Sequence, residues 1–433
     1  MKIRRIFIAL IALHTAVVST GAAFEVELLN ARKIWDKAQH NAFTDLAYWH
    51  DAFYCAFREG RGHVSTDGRI RVLESKDADT WISAALISLE GFDLRDAHLS
   101  ITPDNRLMLT GGAAPREKDN QSAPTGTFVS FSKDGRQWTQ PQIAVEPGRW
   151  LWCVTWHEGK AYGVSYTAGK GSERYLELLV SEDGIHYKPL VPKLLEQGYP
   201  TEVTLRFDSE GTCYALVRRD RHGDDPSSAM LGISQPDYKQ WQWKDLGPEF
   251  NGFGGPNFIQ IPGGFWLAAG RMHDGGTHTA LCYLDVKNGT MTRLIKLPSG
   301  GDTSYPGMVW HNNMLYISYY SSHEAKTNIY LAKVKILPKP TVVIENTKDG
   351  IVIRLVGEGD NGIWRLKDVQ NDIEIKRLDN GVIAIKASIT TIPDGGITKI
   401  DTRLKMVPGK TIALTGMGNK RISLECPEEK FKS

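Results

Sequence analysis

Thr201-Glu202-Val203-Thr204-Leu205-Arg206-Phe207 runs through Asp208-Ser209-Glu210-Gly211 into Cys213-Tyr214-Ala215-Leu216-Val217-Arg218-Arg219. Two alternating apolar runs flank a turn-forming cluster, which predicts an antiparallel hairpin. Such a hairpin returns to the rim where it began, so Glu202 and Arg218/Arg219 share one edge of a sheet. The same layout recurs. First strands align near Phe43, Ala97, Cys153, Val203, Asn257 and Pro306, at separations of 54, 56, 50, 54 and 49 residues. Six copies of about 50 residues, each made of short strands, predict the blades of a β-propeller. The sixth copy supplies only three strands: the first near Pro306 and, after Trp310, Met314 to Tyr320 and Thr327 to Ile336. A strand near Glu25 to Leu28 can complete it and close the ring, which removes an exposed edge. Between that strand and the first repeat, Ala31 to Ala38 reads as a helical turn or two.

A second motif keeps the same phase. Ser75-Lys76-Asp77-Ala78-Asp79-Thr80-Trp81, Ser132-Lys133-Asp134-Gly135-Arg136-Gln137-Trp138 and Ser181-Glu182-Asp183-Gly184-Ile185-His186-Tyr187 are followed by a degraded copy from Ser234 to Trp241. Each falls where a blade's third strand turns into its fourth. Asp and Gly make the turn, and the aromatic six residues after Ser packs it onto the blade. The period stops after Leu337-Pro338-Lys339-Pro340. Beyond it, strand-like runs at Thr341 to Ile344, Gly350 to Val356, Val382 to Ala387 and Lys410 to Leu414 predict a small C-terminal all-β domain. The expected division is residues 1–23, 24–338 and 339–433.

Composition is that of an ordinary globular protein, 41% hydrophobic and 24% charged over 433 residues. Residues 1–23 read as a secretory signal: a basic start with Lys2, Arg4 and Arg5, an apolar run from Ile6 to Val18, and Gly21-Ala22-Ala23 as the cleavage site. The expected location is periplasmic or extracellular. Without those three bases, 49 of the 52 remain against 50 acids. A chain so near neutrality has no electrostatic case for nucleic acid or an anionic membrane. No run reaches the roughly 20 apolar residues of a spanning helix, and a monomer is expected. The five cysteines, Cys55, Cys153, Cys213, Cys282 and Cys426, cannot all pair within one chain. The first four sit in apolar strand patterns and read as buried thiols. No Cys/His spacing suggests a metal, and no cofactor is implied.

In a propeller, the start of each blade's first strand and the end of its second border the central depression. Blade by blade, those positions hold His40, Asn41, Arg58 and Glu59; Arg95, Asp96 and His98; Trp150, Trp152 and Tyr166; Glu202, Arg218 and Arg219; Asn257, Arg271 and His273; and Asp302, Tyr305, Tyr319, Tyr320 and His323. Guanidiniums, carboxylates and aromatic faces around one axis suit an anionic or hydroxyl-rich ligand, that is, a carbohydrate.

The in-phase S-x-D-x-G-x-x-W turns, together with the order Glu202, Arg218, Arg271, Tyr305 across blades four to six, resemble the sialidase (neuraminidase) superfamily, whose turns of this kind are called Asp boxes. The resemblance implies an exo-acting glycoside hydrolase with Tyr305 as nucleophile, Glu202 as its base, and arginines that grip a substrate carboxylate. A neutral phenol approaches an anomeric carbon bearing a carboxylate with less repulsion than an anion does, and a Tyr nucleophile is the recognised exception among glycosidases. This chain departs from the family at two points. The first blade opens on Asn41-Ala42-Phe43-Thr44-Asp45-Leu46, without the Arg-Ile-Pro arginine. The loop Arg58-Glu59-Gly60-Arg61-Gly62-His63 lacks the acid/base Asp. Asp96 is the expected replacement acid and His63 the second choice. Arg58 or Arg95 is the replacement guanidinium. Arg218, Arg219 and Arg271 form the expected anion clamp, and His98, Asn257 and Tyr320 are expected to line the site. Two rivals remain: a polysaccharide lyase acting on uronates, and a glycan-binding propeller without catalysis.

Overall fold

A computed structural model describes residues 24–116, 125–168, 173–262 and 264–338, and beyond them eight strands between 341 and 425. The leader and Cys426 lie outside the described residues. The chain divides into two compact units, Leu28–Lys335 and a second that contains Ile336–Ser433.

The first unit is a six-bladed β-propeller of four-stranded antiparallel sheets. Its first strands are His40–Trp49, Phe92–Ile101, Arg149–His157, Pro200–Phe207, Gly254–Ile261 and Thr303–His311. They pack side by side in sequence order, the sixth against the first. The sixth blade takes its outer strand, Phe24–Trp35, from the start of the chain. The helical turn expected over Ala31 to Ala38 is therefore a strand as far as Trp35. Ala31, Arg32 and Lys33 favour helix locally, and pairing with Asn328–Pro338 overrides that preference. Among the described residues the only helix is the three-residue turn Pro248–Phe250, and none could cross a membrane.

The three Ser-x-Asp turns, and the degraded copy from Ser234 to Trp241, join third to fourth strands in the first four blades. In each of the first three, one Asp oxygen accepts two backbone N–H groups. Asp134 Oδ1 takes those of Arg136 and Gln137 at 2.9 and 2.7 Å. Asp77 and Asp183 repeat the arrangement. The Trp81, Trp138 and Trp241 indoles each donate to the carbonyl three residues back. These turns are tied to themselves and leave no group for chemistry. The four strand cysteines are free and buried.

One irregularity positions the site. In every first strand, two residues oppose a single residue of the second strand, a β-bulge repeated six times: between Ala42 and Asp45, Arg95 and His98, Leu151 and Val154, Pro200 and Val203, Gly254 and Asn257, and Ser304 and Gly307. The leading bulge residues are Phe43, Asp96, Trp152, Thr201, Gly255 and Tyr305. Four of them have positive φ: Phe43 63°, Asp96 47°, Gly255 58° and Tyr305 54°. Left-handed backbone is costly for a non-glycine residue and clusters at functional sites. A bulge also re-aims the side chain it carries.

The C-terminal unit is two four-stranded sheets. One orders its strands Thr341–Thr347, Gly350–Val356, Arg421–Glu425, Ile412–Thr415, with the middle pair parallel. The other is a meander of Ile363–Lys367, Asn371–Arg377, Ile383–Thr391 and Thr398–Met406. Of the four runs expected from sequence, Thr341 to Ile344 and Gly350 to Val356 are strand, as are the described parts of the other two, Ile383 to Ala387 and Ile412 to Leu414; Val382, Lys410 and Thr411 lie outside the described residues.

Candidate active site

Tyr305 Oη donates a 2.6 Å hydrogen bond to Glu202 Oε1, across blades six and four. Arg218 Nη1 donates to the same oxygen at 2.6 Å, and the Gly255 N–H to Oε2 at 2.6 Å. Arg218 lies opposite the bulge that carries Glu202, which explains their meeting. Its Nε is held by Asp220 at 2.7 Å, so the guanidinium is anchored from behind. Burial raises the Tyr305 phenol well above its usual range, and the Glu202 and Asp96 charges add to the effect. Such a phenol keeps its proton unless a base takes it, and the base is in contact.

Asp96 enters from the second blade. Burial, then the charge of Glu202, pushes its carboxyl up to about 7, against the pull of His98, Arg95 and His63. Asp96 thus holds its proton to a higher pH than an ordinary carboxyl, as a general acid must. Aromatic rings wall the space. Trp152 and Phe43 lie 5.3 and 5.1 Å from the Tyr305 ring, and Trp150 stacks on Tyr166 at 5.8 Å. His98 lies 4.6 Å from Trp152.

Among the described residues, several buried polar atoms here have no hydrogen-bond partner: Trp150 Nε1, Trp152 Nε1, His98 Nε2, Thr201 Oγ1 and Arg271 Nε. Orphaned polar groups are rare in folded interiors, and a cluster of them marks a place where a polar ligand completes the pairing. Arg271 also has no ion pair among the described residues, whereas Arg218 and Arg95 have theirs.

Five expected contributors are committed elsewhere. Arg219 is fully buried and bound to Ser228 and Asp245, because adjacent strand residues face opposite ways and Arg218 takes the axial side. Arg58 is fully buried, with bonds to Asp93, the Gly62 carbonyl and Ser65. Asn257 ties blades together: its Nδ2 donates to the Pro306 carbonyl, and its Oδ1 accepts from Arg206 and the Phe258 N–H. Tyr320 is fully buried beneath Tyr305 and donates to Asp302. Glu59, expected at the rim of the first blade, accepts from the Trp35 indole at 2.7 Å and from Arg71. Arg95 keeps a place at the rim, with its Nε on Asp93 at 2.7 Å. His63 is half exposed and holds Asp302 at 2.8 Å. Phe43 and Asp93 were not anticipated as site-forming. Phe43 carries no chemistry to flag it, and Asp93 acts only through the Arg58 and Arg95 it joins.

No protein-family model and no curated protein sequence matches the chain. Solved structures do match. A protein of unknown function from Dyadobacter fermentans superposes with a TM-score of 0.63 at 20% identity, over 72% of this chain and 99% of that one. The Trypanosoma rangeli sialidase gives 0.56 at 10% identity, over 88% and 82%. The fold is that of the sialidase propellers. It is equally that of the GH93 α-L-arabinofuranosidase of Fusarium graminearum, with a TM-score of 0.56 at 12% identity over 71% of this chain and 98% of that one. A sialidase-type propeller at such low identity fixes architecture, and its chemistry has to be read from the side chains.

Proposed function

We propose that this protein is a glycoside hydrolase that removes a terminal acidic sugar from glycans, outside the cytoplasm. The observation that carries the reading is the Tyr305–Glu202 hydrogen bond, with the buried Asp96 carboxyl, raised to about 7 partly by the Glu202 charge, beside it. In the first step the Tyr305 oxygen attacks the anomeric carbon as its proton passes to Glu202. Asp96 gives its proton to the departing glycosidic oxygen. In the second step Asp96 takes a proton from water, which displaces Tyr305, and Glu202 returns the phenol's proton. Arg218 steadies Glu202 and the phenolate that develops beside it. Arg271, a guanidinium without a carboxylate partner among the described residues, is the group that favours an acidic substrate. The solved neighbours, sialidase and arabinofuranosidase, support a glycan as the substrate class.

A double-mutant cycle tests it. Tyr305→Phe and Glu202→Gln should each lower kcat by at least about a hundredfold on a glycan the wild type cuts, and the double variant little further, because both disable one step. Full activity in Tyr305→Phe ends the mechanism. Product with a new C=C absorbance would replace hydrolysis by elimination. Binding that survives both changes, with no turnover on any glycan, would mark a lectin-like propeller.

A further inference from the structure

His40, His63 and Asp302 come from the first blade, the loop after its second strand, and the entry to the sixth. Their side chains meet beside the pocket. His40 Nε2 lies 3.0 Å and His63 Nδ1 2.8 Å from the same oxygen, Asp302 Oδ2. All three candidate ligand atoms lie within 4.8 Å of one another. The other carboxylate oxygen, Oδ1, accepts from Tyr320 at 3.1 Å, and the Asp302 N–H donates to Ser322 at 2.8 Å. The carboxylate is thus fixed from behind, with Oδ2 turned to the two imidazoles.

We propose that His40, His63 and Asp302 bind a divalent transition-metal cation, Zn²⁺ by preference, through Nε2, Nδ1 and Oδ2. Two imidazoles and one carboxylate are a donor set for zinc or a similar first-row ion. Ligand atoms on a tetrahedral ion at about 2.0–2.2 Å stand roughly 3.3 Å apart, so two contacts of 2.8 and 3.0 Å need to open by only a few tenths of an ångström. Tyr320 fills the outer position that orients a ligating carboxylate. The site also has an open side. The His63 side chain is 53% exposed while that of His40 is 9% exposed, which leaves room for water or a substrate hydroxyl as a further ligand. His63 lies against Phe43, which lies against Tyr305, so an ion there borders the sugar-binding space. The proposal does not depend on the hydrolase reading. It also leaves Asp96, not His63, as the acid.

The expectation of no metal rested on sequence spacing, and a set drawn from positions 40, 63 and 302 has no spacing to recognise.

Protein stripped with a chelator should take up one equivalent of Zn²⁺ by isothermal titration, and its melting temperature should rise with added Zn²⁺. Co²⁺ in its place should give a visible absorption band. His63→Ala and Asp302→Asn should each weaken Zn²⁺ binding by at least about tenfold and abolish the band, and Tyr320→Phe should weaken it by about tenfold. His186→Ala, in the exposed Ser181–Tyr187 turn of the third blade with its own Asp183 contact, should change nothing. His63 is half exposed, so its removal spares the fold and keeps the test decisive if Asp302→Asn destabilises the chain. Failure of the wild type to bind Zn²⁺ at micromolar concentration overturns the proposal. Undiminished binding by His63→Ala does so too.

Discussion

Asp96 keeps its proton to a higher pH than most carboxyls, and the cause is local. Its leading bulge position drives it into a buried space already occupied by the Glu202 charge. The sign of the pH effect follows. A carboxyl whose folded pKa is raised holds its proton more tightly when folded. Its contribution to stability is complete below the unfolded value near 4 and is lost as pH rises to about 7. Asp96→Asn mimics the protonated form. At pH 8 it should be more stable than the wild type by about 1–3 kcal/mol, with little difference at pH 4, in melts followed by circular dichroism. Turnover on unactivated glycans should fall by roughly 10²–10⁴-fold, and the wild-type rate should decline above pH 7 as the acid loses its proton. A pH-independent stability difference would show that Asp96 is not the group that titrates.

At the level of the element, the bulge is the device that turns a strand rim into a site. The sequence makes the strands plain, because alternation and turn residues are local signals, and the Ser-x-Asp turns keep phase with them. Glu202, Arg218 and Tyr305 were legible as rim positions for the same reason. What stayed hidden was which way each side chain points. Two residues against one shifts the alternation by a step, so Asn257, plausible on the rim, turns into a blade contact instead, while Arg58, on an unbulged second strand, is claimed by Asp93 and the Gly62 carbonyl. Arg219 was excludable by alternation alone, since Arg218 precedes it. Gly255 shows how tightly the bulges are packed. It takes the same left-handed backbone as Tyr305, its N–H holds Glu202, and a Cβ there would stand 2.7 Å from the Tyr305 Cα. Gly255→Ala should cost about 1–3 kcal/mol and displace the tyrosine, so that kcat falls while the melting transition stays cooperative. An alanine variant with wild-type kcat would mean that the Tyr305 backbone has slack here that this packing denies it.

For the whole molecule, the decisive feature is the closure of the ring by the strand Phe24–Trp35 on Asn328–Pro338. The sequence announced it through a shortfall, a sixth repeat with three strands. The site depends on it indirectly, because blade six carries Tyr305 and Asp302 while blades one, two and four carry Phe43, His63, Asp96 and Glu202. Cross-ring bonds also run between the first and sixth blades: Thr44 Oγ1 donates to the Tyr305 carbonyl at 2.6 Å, and the Asn41 N–H to the Thr327 carbonyl at 3.2 Å.

That closure also orders events in time. The other five blades are built from neighbours in sequence, and their hairpins can form as soon as they exist. The sixth joins segments about 300 residues apart. Bringing such distant ends together costs roughly 2 kcal/mol more than closing a loop of some 20 residues, so the strand made first waits for the last before it has a partner. Contacts formed that late are absent from the folding transition state, and weakening them hastens unfolding without slowing refolding. Ile34, half-buried on the closing strand against the main core, is the place to see it. Ile34→Ala should lose about 1–2 kcal/mol, nearly all of it in a faster unfolding rate. An equal slowing of refolding would instead place closure before the barrier, and the first strand would then be a nucleus.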